Sequence, residues 1–121
     1  MKIKISTRVV LIFDDYVLKL PISLRGYLQC KQEQYIWNNY KHLGLLGEIF
    51  WYKKGIICMK KYAPVKEVFH LNVFKIKNNI DDLNIVMCDL YKSCNWGIDE
   101  NGKHILIDYG INDEISKMYN L

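Results

Sequence analysis

Apolar and polar positions follow a strand period through the first twenty residues. Residues 2–6 and 8–13 alternate or run apolar at strand length, Asp14 and Asp15 supply a turn, and residues 16–20 give a further strand ahead of Pro21. An antiparallel meander is expected. The period then changes: Ser23 caps a helix running to about Tyr40, with Leu24, Leu28, Tyr35, Ile36 and Trp37 as its apolar face and Gly44 as its stop. Residues 47–52 and 56–62 return to strand length, joined by Lys53, Lys54 and Gly55 as a hairpin with glycine available for positive φ. From 65 to about 78, Val65, Val68, Phe69, Leu71, Val73 and Ile76 recur at helical spacing, and Pro64 suits a first helical turn. Asp81 or Asp82 opens another turn toward Ile85, Val86 and Met87. Turn chemistry at Glu100, Asn101 and Gly102 precedes the β-rich run Ile105, Leu106, Ile107, and a short amphipathic tail covers 112–120. The pattern predicts an α+β fold in a single domain, with no repeats, linkers or low-complexity tracts.

At 121 residues, half of them apolar, the chain is long enough to bury a core. No run approaches the eighteen or so apolar residues of a membrane span, and the N-terminus lacks the apolar stretch of a signal peptide, so a cytoplasmic location without membrane contact is expected. Cys30, Cys58, Cys88 and Cys94 show no metal-ligand spacing and read as reduced, mostly buried thiols. The net charge of +4 is divided unevenly: residues 1–77 carry +9 and residues 78–121 carry −5. A basic half opposite an acidic half suits a phosphate-cradling lobe facing a metal-holding one, or a basic surface for an acidic partner. No motif supports nucleic-acid binding.

Candidate chemistry concentrates in residues 89–110, DLYKSCNWGIDENGKHILIDYG. Asn95 and Asp108 offer two hard oxygen ligands from the arms of one hairpin, a pairing that suits Mg²⁺ with a nucleoside triphosphate, since the ion fills its octahedron with phosphate and water. This stretch resembles the catalytic-loop and metal-loop region of the protein-kinase-like superfamily, in which Asp-Leu-x-x-x-Asn, a short hairpin and Asp-Phe-Gly follow one another. Asp89, Asn95 and Asp108-Tyr109-Gly110 take those places. One departure is a fifth residue between Asp89 and Asn95, where the family has four. With Tyr91 as the insertion, Lys92 falls at the family's loop lysine.

The resemblance extends upstream. Lys19, on the strand after the second turn, stands where the family keeps the lysine that contacts the α- and β-phosphates. Glu33, the sole carboxylate between Asp15 and Glu48, stands on the following helix where the family keeps its partner, which implies a Lys19–Glu33 ion pair. Residues 60–64 resemble the hinge that meets an adenine ring. The link Ser6-Thr7-Arg8 lacks the glycines that usually cover the phosphates, leaving the Thr7 and Arg8 side chains as substitutes. The resemblance implies a reduced protein-kinase-like fold: an antiparallel small-lobe sheet with one packed helix (1–63) and a truncated large lobe carrying the metal-loop hairpin (64–121).

Two functions follow. In one, a minimal kinase binds ATP and Mg²⁺ and passes the γ-phosphate to a protein or small-molecule hydroxyl: Asp89 is the base, Lys19, Glu33 and Lys92 serve the nucleotide, and Asn95 and Asp108 hold metal. In the other, a pseudokinase binds a host protein without turnover. Small chains of this shape resemble bacteriophage and mobile-element products, which implies action in the host cytoplasm, for instance as an inhibitor of a bacterial defence system. Trp51, Tyr52, Trp96 and Tyr109 are the aromatic anchors that such an interface would use.

Overall fold

The computed structural model describes residues 1–80 and 90–110. Strands β1 (Lys2–Ile5), β2 (Arg8–Ile12) and β3 (Tyr16–Pro21) form the expected antiparallel meander, with Val10 opposite Lys19. The turn at Asp14–Asp15 closes through Phe13 N donating to Tyr16 O at 2.9 Å, and the Phe13 and Tyr16 rings stack above it. Ser23, extended at φ −151°, starts α1 (Leu24–Tyr40) by accepting the Gly26 amide at 3.0 Å on its hydroxyl. A 3₁₀ turn (Lys41–Leu43) and Gly44 at φ 69° end it. Strands β4 (Ile49–Lys53) and β5 (Ile56–Lys60) make a tight hairpin in which both Lys54 (φ 52°) and Gly55 (φ 81°) adopt positive φ. β5 inserts between β3 and β4, giving the order β1-β2-β3-β5-β4, and α1 packs on β3, β4 and β5.

A second antiparallel sheet combines β6 (Ala63–Pro64), β7 (Trp96–Ile98) and β8 (His104–Leu106), with α2 (His70–Asn79) leading away from β6. The expected helix from residue 65 therefore starts five residues late. Ala63 and Pro64 pair with Ile98 and Gly97 on a sheet edge, where proline's missing N–H is tolerated, and buried Val65 holds the chain there. The β7–β8 turn is organised by Asp99, whose Oδ1 accepts the amides of Asn101 (2.9 Å) and Lys103 (2.8 Å), while Gly102 supplies φ 79°. The turn expected at Asp81 or Asp82, the run 85–87 and the tail 112–120 lie outside the described residues.

One core joins the two sheets. Ile36 of α1 and Ile57 and Met59 of β5 join Val73 and Ile76 of α2, Trp96 of β7 and Leu106 of β8, each contributing about 1.5–3 kcal/mol by leaving water. Backbone bonds cross the seam: Gly47 N donates to Leu106 O (2.8 Å) and Leu106 N to Leu45 O (3.0 Å). Among the described residues no helix is long and apolar enough to cross a membrane.

The inward face of α1 differs from the apolar stripe expected of it. Leu24 and Tyr35 point to solvent, and the helix buries Arg25, Gly26, Gln29, Cys30, Glu33 and Ile36. A helix whose buried face is half polar has those groups satisfied by partners rather than by hydrocarbon, and the partners identify the site.

Candidate functional site

Four charged side chains from four segments meet beneath the first sheet. Lys19, on central strand β3 and flanked by Val17 on the same face, projects under the sheet to Glu33 on α1; its Nζ donates to Oε2 at 2.9 Å and Oε1 at 3.1 Å. The expected ion pair is thus present, with Glu33 fully buried. Arg8, the first residue of β2, reaches the same carboxylate: Nη2 donates to Glu33 Oε1 at 2.5 Å and to Asp108 Oδ1 at 3.2 Å. Lys19 also donates to the Ile107 carbonyl at 3.1 Å, tying the cluster to the chain just before Asp108. Two cations and two carboxylates balance, which is what allows Arg8, Lys19 and Glu33 to be buried.

The protonation states follow from that balance. Burial works against the Arg8 charge, but Glu33 and Asp108 together hold its pKa above the ordinary value. Burial pushes the Asp108 carboxyl upward; Lys19, Arg8 and the Gly110 amide pull harder the other way, and the net shift is downward, so Asp108 is ionised at neutral pH. Cys30, whose thiol burial raises, stays protonated beside Arg8 Nη1 at 3.5 Å.

Asp108 is fixed from both sides. Asn95 accepts the Ile107 amide (2.8 Å) and the Asp108 amide (3.3 Å) on its backbone carbonyl, so the two arms of the β7–β8 hairpin bring Asn95 and Asp108 together as expected. Tyr109 is completely buried and its hydroxyl donates to Gly47 O at 2.9 Å; burial, and secondarily the Glu33 charge, keeps that phenol neutral by raising its pKa well above the usual range. Gly110 lies so close to α1 that a Cβ there would stand 2.8 Å from Glu33 Cγ and collide with the Gln29 carbonyl. The Asp108 side chain retains 37% exposure, and its Oδ1 accepts from Arg8. Among the described residues no group of three or more His, Cys, Asp or Glu side chains is placed to hold a metal.

Beside this cluster opens a cleft of about 580 Å³ between the two sheets. Val17, Met59, Trp96 and Ile107 give it apolar walls, Lys19 stands at its inner end, and residues 60–65 form its rim. Lys2 and Lys4 line its mouth from β1, and Lys60 is bridged to Glu100 of the β7–β8 turn at 3.0 Å. The volume lies in the range of small-molecule sites, and the lining mixes apolar side chains with Lys2, Lys4, Lys19, Lys60 and Lys61.

Lys92 is exposed, at the start of a 3₁₀ turn (Ser93–Asn95) whose Ser93 and Cys94 line the cleft, and Lys92 is not among the lining residues. Asp89 lies outside the described residues. Thr7 and Arg8, expected to face phosphate in place of glycine, are turned the other way: Thr7 Oγ1 donates to Gln29 Oε1, and Arg8 is buried in the cluster. Of the four aromatic anchors, Trp96 and Tyr109 belong to the core, their polar tips satisfied at Leu90 O (2.7 Å) and Gly47 O, whereas Trp51 is 47% exposed and Tyr52 half-buried. The residue that sequence reading undervalued is Arg8; its signal was a lone charge at the head of an otherwise apolar strand. No family model matches the chain, and comparisons with curated proteins and with solved structures give no match.

Proposed function

We propose that this protein is a kinase-like binding module that takes ATP or a related nucleotide in the cleft and acts on a host protein by association, without phosphoryl transfer. The observation that carries this reading is the apolar cleft ending at Lys19, itself held by a fully buried helix carboxylate. In this reading a flat base sits among Val17, Met59, Trp96 and Ile107, with backbone groups of residues 60–63 at its edge and the phosphates toward the lining lysines. The reduced kinase-like scaffold is supported by the helix set between the lysine strand and the next hairpin, and by the Asp108-Tyr109-Gly110 turn under that helix. Binding without transfer is favoured by Asp108 being engaged by Arg8. Magnesium belongs to the alternative, an active minimal kinase, as the ion that would accompany the transferred phosphate. Trp51, exposed on outer strand β4, is the anchor we assign to the protein partner, for which a component of a bacterial defence system is the proposed class.

Thermal unfolding with and without saturating ATP tests the nucleotide half. A ligand at about a hundredfold its Kd adds about 2.7 kcal/mol, which raises the midpoint by several degrees. An unchanged midpoint with both ATP and ADP would remove nucleotide from the reading. Transfer of labelled γ-phosphate to an acceptor protein would replace it with the active minimal kinase.

A further inference from the structure

Arg8 occupies the position from which a cation would act on Asp108, and it cannot easily leave. Its Nη2 bridges Glu33 and Asp108, its Nη1 reaches Cys30, and its backbone opens β2 opposite Pro21. The turn that carries it is clamped onto α1. Ser23 Oγ donates to the Thr7 carbonyl at 2.8 Å, Thr7 Oγ1 donates to Gln29, and Gly26 admits the Thr7 backbone where a Cβ would lie 2.9 Å from its carbonyl carbon. Swinging Arg8 outward would leave the buried Glu33 to Lys19 alone and undo this turn. A divalent ion added to the cluster would convert a balanced set of two cations and two carboxylates into one carrying a twofold positive excess.

The charge a polyphosphate needs is supplied elsewhere. Lys2 and Lys4, alternate residues of β1, line the same side of the cleft mouth, and Lys61 joins them on the rim, against Asp14, the single lining carboxylate among the described residues. Resting on the nucleotide reading above, we infer that Arg8 is a built-in cation standing in for a divalent metal at Asp108, and that the cleft takes the metal-free polyphosphate, with Lys2 and Lys4 as its phosphate contacts. The ordinary division of labour is inverted: the chain supplies a fixed charge where a kinase-like site would recruit an ion, and strand-edge lysines replace a glycine loop.

The full chain tests this in two arms. In the first, ATP binding is followed by calorimetry in EDTA and in excess magnesium. The Kd in EDTA should equal or undercut that in magnesium, and Lys2→Glu with Lys4→Glu should weaken it about tenfold or more. Binding that requires magnesium, or that ignores the two lysines, overturns the inference while leaving the nucleotide reading intact. In the second arm, free Mn²⁺ is followed by electron paramagnetic resonance without nucleotide. The wild type should leave millimolar Mn²⁺ free, Arg8→Gln should capture one ion, and adding Asp108→Asn should release it. Mn²⁺ held by the wild type and lost in Asp108→Asn overturns the inference whether or not Arg8→Gln folds. Should ATP bind in neither buffer, the nucleotide reading and the role of Lys2 and Lys4 both fall, and the Mn²⁺ arm alone decides that of Arg8.

Discussion

Glu33 is the point on which two buried cations converge, and its environment makes its charge, rather than its size, indispensable. Glu33→Gln keeps the volume but leaves Arg8 and Lys19 sharing Asp108 alone. Breaking a buried ion pair from one side costs about 3–5 kcal/mol, so chemical denaturation should show a loss of that order. Asp108 gives a second handle. Its folded pKa lies below the ordinary 3.8, so its stabilisation is fully present above that value and is lost as pH falls through the folded pKa. Plotted against pH, the unfolding midpoint of the wild type should drop more steeply in the acid range than that of Asp108→Asn. Parallel curves would mean that Asp108 is not coupled to Arg8 and Lys19. Gly110→Ala adds one methyl group against Glu33 and Gln29, and a clash with backbone cannot relax cheaply; a cost of about 1–3 kcal/mol is expected from the same denaturation measurement.

Helix α1 shows how an element's environment reverses rules that hold for helices in isolation. Alanine for glycine inside a helix ordinarily stabilises by about 1 kcal/mol. Gly26→Ala should instead destabilise, because its Cβ would press into the Thr7 carbonyl that Ser23 also binds. A stabilised Gly26→Ala in urea denaturation would show that the clamp between the first turn and α1 is loose. The apolar residues of the same helix divide sharply. Leu24, 67% exposed, should tolerate glutamine within about 0.5 kcal/mol, while Ile36→Ala should cost about 2–5 kcal/mol through the cavity it leaves. Equal costs at the two positions would contradict the face assigned here to the core.

At the scale of the molecule, two sheets share one hydrophobic core and a set of backbone bonds across their seam, so neither has an interior of its own. Unfolding should therefore be a single transition. In a chain retaining only Trp96, with phenylalanine at 37 and 51, fluorescence reports on the second sheet, and far-UV circular dichroism is dominated by α1 on the first. Coincident midpoints are expected; a separation of the two curves would divide the chain into independently folding parts.

Local chemistry was enough to read the meander, the Ser23 cap, the Gly44 stop and the 53–55 hairpin, because each is written within a few adjacent residues. The approach of Asn95 to Asp108 is likewise enforced by one hairpin, whereas the Lys19–Glu33 pair followed from the resemblance, with a single carboxylate over a long basic stretch to fill the place. What lay beyond local chemistry was settled by packing between distant segments. Val65 and Pro64 carried a helical spacing, yet pairing of Ala63 and Pro64 with β7 held them extended. Trp96 and Tyr109, candidate anchors in the sequence, are enclosed by the seam, and the inner face of α1 could not be recognised while its partners were unknown. Arg8 is the clearest case. Its sequence neighbourhood describes a strand, and its role arises from contacts with residues 25 and 100 positions away, which only the tertiary fold brings within hydrogen-bonding range.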